Sequence, residues 1–142
     1  MGKRRKSREL ALQVLYQIDM DDGDAEEKFN LFWQHFDHSD DLKEFSHKIV
    51  EGVCQRKEEI DALIEKYSEH WRLQRMTIVD RNVLRSAVFE LMCCPDIPTK
   101  VILNEAVELG KKFGSEKTGP FINGILDKVS HQINRSQTGE EN

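Results

Sequence analysis

The chain has 142 residues, enough for one domain with a sizeable core, and 38% hydrophobic with 33% charged content excludes a disordered polymer. No apolar run nears the roughly 18 residues that span a bilayer. The net charge is −5, yet Lys3, Arg4, Arg5, Lys6 and Arg8 place five cations at the start and leave −10 for the rest, a basic patch on an acidic body.

The basic start is not a secretory signal, because Glu9, Gln13 and Gln17 interrupt the apolar run that follows it. The opening MGKRRKS also misses the myristoylation pattern, since Lys6 stands where Ser or Thr is needed. Leu10, Ala11, Val14, Leu15 and Ile18 then repeat at helical spacing. On a helix advancing about 100° per residue, Arg5, Leu12 and Tyr16 fall roughly opposite this stripe, with Arg8 flanking them. The first helix is therefore expected to carry a second stripe of cations and exposed apolar groups. Composition leaves three uses for it open: a solvated segment, a nucleic-acid contact, or a contact with an anionic membrane.

DMDDGD (19–24) ends this helix as a turn. Its register does not suit calcium, because Gly23 falls at the fifth position and Asn30 at the twelfth. Asp24 with Glu27 resembles a capping box ahead of Phe29, Phe32, Trp33 and Phe36. DHSDD breaks that stripe. Leu42, Phe45, Ile49 and Val53 form the next, continued by Ile60, Leu63, Ile64, Tyr67 and Trp71, with CQRKEE positioned to kink or split the segment. Thr77 with Asp80 can cap a helix through Leu91, which Pro95 and Pro98 stop. Thr99 begins another helix, with Gly114 as its C-terminal cap. Gly119–Pro120 opens the last, which leads to a polar end expected to fray. No strand-like alternation occurs. The pattern predicts an all-α fold of about six or seven helices.

Chemistry-bearing patterns are sparse. Cys54, Cys93 and Cys94 form no C-x-x-C pair and read as free thiols of a reducing cytoplasm. His35 and His38 can offer two metal ligands from one helix face, but no third is evident. Carboxylates such as those of KEEIDALIEK are explained by i,i+4 pairing. No phosphate-binding glycine loop is present. The expectation is a non-enzymatic protein without metal or cofactor.

Four blocks carry more information: RRKSRELALQVLYQID (4–19), DRNVLRSAVFEL (80–91), IPTKVILNEAVELGKKFG (97–114) and FINGILDKV (121–129). In content, order and spacing they resemble the NusB family of bacterial transcription antitermination factors, over essentially the whole chain except its C-terminal tail. The resemblance implies two packed three-helix bundles, about 1–70 and 75–134, forming one helical domain (1–134) with a flexible tail at 135–142. It also implies a cytoplasmic protein that binds boxA RNA of nascent ribosomal RNA leaders together with the small-subunit ribosomal protein NusE. That complex joins RNA polymerase and other Nus factors and suppresses Rho-dependent termination. A homodimer is a further possibility within the family.

Carried over by position, the RNA-binding segment falls on Lys3, Arg4, Arg5, Lys6 and Arg8. A second RNA-facing element falls on Lys117 to Phe121, where Phe121 either stacks on a base or belongs to the core stripe. Leu12, Tyr16 and Asp80 map to the protein-partner surface. Lys117 stands where the family often has an acidic residue, and Gly119–Pro120 replaces more ordinary helix residues. Two alternatives differ in class. One is the NusB-like front of a ribosomal RNA cytosine methyltransferase, although the sequence ends at Asn142 before any cofactor domain. The other is a polybasic peripheral membrane or scaffold protein.

Overall fold

The computed structural model describes residues 2–21, 23–35, 40–69 and 72–137, with side chains as far as Ile133. Among the described residues seven α-helices follow one another: α1 (Gly2–Asp21), α2 (Ala25–Gln34), α3 (Asp40–Gln55), α4 (Lys57–Tyr67), α5 (Ile78–Cys93), α6 (Thr99–Phe113) and α7 (Thr118–Gln137). A short 3-10 turn, Leu73–Arg75, lies between α4 and α5. No strand is present among the described residues.

The local signals act as the sequence suggests. The Asp24 carboxylate accepts from the Glu27 amide at 2.9 Å and starts α2. The Thr77 hydroxyl accepts from the Asp80 amide at 3.0 Å and starts α5. Gly114 closes α6 by donating its N–H to the Gly110 carbonyl. The polar CQRKEE stretch splits its segment, with α3 ending at Gln55 and α4 beginning at Lys57. The last helix starts at Thr118, and Pro120 is accommodated in its first turn, where a missing N–H costs nothing. The same helix runs to Gln137. Phe36, His38, Trp71 and 138–142 lie outside the described residues.

The helices form two compact units, 1–56 and 57–142. In the first, α3 packs against α1 and α2. Its core draws on Leu10 and Val14 of α1, Phe29 of α2, and Ile49, Val50 and Val53 of α3. Phe29 stacks on Trp33 with ring centroids 5.6 Å apart. Helix α4 packs against α5 and α7, and the second unit, which begins at Lys57, contains four α-helices among the described residues.

In the second unit α5 is enclosed along its whole middle, buried from Asn82 to Leu91. Arg85 on this helix grips Asp61 of α4 through two bonds, Nε to Oδ1 at 2.8 Å and Nη2 to Oδ2 at 3.1 Å. This fork geometry is the strongest form of such a pair. The Tyr67 hydroxyl donates to the Gln132 side chain and ties α4 to α7.

Helices α6 and α7 approach closely at Gly110. A Cβ there would lie 2.7 Å from Thr118 Cγ2 and 2.9 Å from Ile122 Cδ1. Both neighbours are buried, and Thr118 is held by hydrogen bonds, so the helices must separate to admit a side chain. We expect Gly110→Val to destabilise the fold by about 1 to 3 kcal/mol. A lower urea midpoint with an unchanged denaturant slope is the readout.

Candidate nucleic-acid and partner interface

The basic start is the first turns of α1, laid against α3. Two serines make this seat. The Ser7 hydroxyl donates to the Leu42 carbonyl at 3.1 Å, and the Ser46 hydroxyl donates to the Ser7 carbonyl at 2.7 Å. Both serines are buried. Their small side chains let the backbones approach and satisfy carbonyls at the contact.

On this seat Lys3, Arg4, Arg5 and Lys6 are exposed. Lys3 Nζ lies 2.9 Å from Asp41 Oδ2 at the start of α3, and Lys6 Nζ lies 3.9 Å from Glu9 Oε1. The guanidinium carbons of Arg4 and Arg8 sit over the Phe45 ring, 4.6 and 5.5 Å from its centroid. The segment is therefore an ordered patch and not a frayed tail.

Two expectations about this helix need correction. Leu12 is only 3% exposed, so it is no part of an exposed apolar stripe. Arg8 is 7% exposed and presents little of itself to a ligand. The cause is the same for both. A helical wheel assigns one buried stripe, whereas α1 is buried continuously from Ser7 to Leu12 and is enclosed on more than one side. Tyr16 does stand out, at 40% exposure, with Met20 exposed one turn further on.

The remaining positions lie in the second unit and come together there. Asp80, Lys117, Thr118 and Phe121 line one cleft of about 290 Å³ with Arg75 and Met76. The Thr118 hydroxyl accepts from the Ser115 amide at 3.0 Å and donates to Asp80 Oδ1 at 3.0 Å, joining the starts of α7 and α5. Phe121 is half-buried at the cleft wall, so it offers a ring surface as well as core contact. Sequence periodicity does not point to Arg75, because its 3-10 turn carries no periodic signal.

Sequence spacing also missed a cluster between α2 and α3. His47 Nε2 lies 2.8 and 3.0 Å from the two Glu26 carboxylate oxygens and 3.7 Å from Glu51. These are the three side chains among the described residues whose potential ligand atoms all fall within 4.8 Å of one another. Their contacts link α2 to α3, and the His47 ring is set edge-on to Phe29 at 4.9 Å. Elsewhere His35 Nδ1 contacts the Leu31 carbonyl at 2.8 Å, and its expected companion His38 lies outside the described residues. Cys54, Cys93 and Cys94 form no disulfide. No described helix is long and apolar enough to cross a membrane.

A profile of the NusB family matches residues 5–131. The chain belongs to the NusB family. It is similar to the transcription antitermination protein NusB of Desulfatibacillum aliphaticivorans, 43% identical over 99% of both chains. It is likewise 48% identical to that of Myxococcus xanthus, over 95% of this chain and 99% of the relative. Among solved structures, T. maritima NusB superposes with a TM-score of 0.86 at 35% identity, over 96% of each chain. A crystal structure of the antitermination factors NusB and NusE in complex with double-stranded RNA matches with a TM-score of 0.82. Identity there is 31%, over 93% of this chain and 98% of that one. These NusB relatives are named for a role in transcription and not for a chemical reaction.

The Lys3–Asp41 pair gives the basic patch a titratable reporter. The hydrogen bond from Lys3, aided by its charge, holds the Asp41 carboxyl below the usual carboxylate range. A depressed folded-state value means the pair's contribution is present above the unfolded value and is lost as pH falls through the folded one. The pair is exposed, so that contribution is small and falls with salt. Removing the partner with Lys3→Ala is expected to raise the Asp41 titration midpoint to the ordinary range. Carboxyl-carbon NMR across acidic pH measures it.

Proposed function

We propose that this NusB-family chain is a non-enzymatic antitermination factor that binds single-stranded boxA RNA through the exposed cations of α1. The observation that carries the reading is the seating of Lys3, Arg4, Arg5 and Lys6 on α3 as an ordered positive face on an otherwise acidic chain. Arginine forks suit phosphate because they donate two parallel hydrogen bonds. Phosphate contacts fix register, and unstacked bases are then read by aromatic and polar edges. Lys117 and Phe121 supply such groups at the cleft of the second unit.

The protein partner is a NusE-type ribosomal protein, met through Tyr16 on α1 and Asp80 at the start of α5. Its relative crystallised with NusE and RNA supports this assignment. The assembly acts on elongating RNA polymerase with other Nus factors, in the bacterial cytoplasm, and opposes Rho-dependent termination. No step in this role needs a metal or cofactor.

Two measurements test the reading. Arg5→Ala with Lys6→Ala should weaken boxA RNA binding and reduce the magnitude of its salt slope by about 0.7 for each phosphate left without its cation. A salt series by fluorescence anisotropy reads both, and unchanged affinity and slope would remove α1 from the RNA face. Tyr16→Ala should weaken binding of the ribosomal-protein partner by about tenfold, as loss of an aromatic interface residue does. Calorimetric titration against that partner reads the change, while RNA binding by the variant alone stays at its original strength.

A further inference from the structure

Arg4 and Arg8 lie one helical turn apart on α1, a spacing at which like charges repel. Both guanidinium carbons nevertheless sit over one aromatic ring, that of Phe45 on α3, at 4.6 and 5.5 Å from its centroid. The face of an aromatic ring carries partial negative charge and attracts a cation within about 6 Å. The ring is thus placed to offset the repulsion between the two arginines.

The backbone that carries the ring is fixed to the same turn of α1. Ser46, the next residue, is fully buried and donates to the Ser7 carbonyl at 2.7 Å. Leu42, three residues before Phe45, accepts from the Ser7 hydroxyl at 3.1 Å. Ser7 itself lies between Arg4 and Arg8 in sequence. The two hydroxyl bonds therefore set the register at which the ring meets both guanidiniums. Arg8 is buried and Arg4 is exposed, so the ring links an inner cation to one that faces solvent.

We propose that Phe45 is a positioning residue of the RNA face, holding the Arg4 guanidinium in place, with Arg8 behind it, before RNA arrives. This rests on the reading of α1 as the RNA-binding element. Phe45 need not touch RNA. A cation–π contact is made through the charge of the guanidinium and does not itself depend on its N–H donors. A long side chain ordered in advance loses less freedom on binding, so affinity rises without any added phosphate contact.

The test replaces Phe45 with difluoro- and trifluorophenylalanine, which keep the shape of the ring and withdraw charge from its face. Binding of a single-stranded boxA RNA oligonucleotide is then measured across a salt series. The expected result is a stepwise loss of affinity, about two- to fivefold for the trifluoro form. The salt slope stays unchanged, because the number of cations meeting phosphate is the same. Phe45→Tyr, which retains the ring face, should bind within about twofold of the original chain. Equal affinity across the fluorinated series overturns the proposal, and so does a loss accompanied by a shallower slope. Arg4→Ala in the same assay separates the two levels of inference. If it weakens binding while the fluorinated series does not, the positioning role fails alone; if neither weakens binding, the RNA reading of α1 fails too.

Discussion

Two buried hydroxyls determine what the N-terminal cations can do. The Ser7 hydroxyl donates to the Leu42 carbonyl and the Ser46 hydroxyl to the Ser7 carbonyl, so each satisfies a backbone acceptor of the facing helix. Both side chains are small, so the helices meet at close range while their polar groups stay paired. Without this seat, five cations so close together would repel one another and sample many directions. With it, Lys3 meets Asp41, and Arg4 and Arg8 meet Phe45. An otherwise floppy basic segment becomes the rigid end of a twenty-residue helix.

Much of the fold was legible because its signals are local. Asp24, Thr77 and Gly114 cap the helices at the positions their residue types favour, and CQRKEE breaks the chain where its polarity interrupts the apolar stripe. Leu12 and Arg8 were misplaced because a wheel drawn for one helix assumes a single buried side, while α1 is enclosed on several. The opening cations were legible as a patch from charge alone. Their organisation was not, since it depends on Phe45, Asp41 and Ser46, which are distant in sequence and of types that carry no motif. His47 between Glu26 and Glu51 escaped notice for the same reason. In the second unit, the grouping of Asp80 with Lys117 and Phe121 required the α5 and α7 starts to be adjacent, which periodicity does not reveal.

The charge distribution follows a consistent logic. The chain without its five opening cations carries −10, so most of it repels a polyanion. Within the basic patch itself, Asp41 and Glu9 each answer a lysine and moderate the local repulsion without cancelling the excess of positive charge. A patch of this kind favours one orientation of an anionic partner over general adhesion.

The hydroxyl of Thr118 bridges the first turns of α5 and α7 by accepting from Ser115 and donating to Asp80. Whatever draws the Asp80 carboxylate away takes a hydrogen-bond acceptor from the helix that carries Phe121. A group seated on Phe121, in turn, meets the helix start that Thr118 ties to Asp80. Ligands meeting these two residues would thus be thermodynamically linked, each altering the other's affinity by the same factor. The hydroxyl of a single threonine can in this way serve as the exchange point between two binding equilibria.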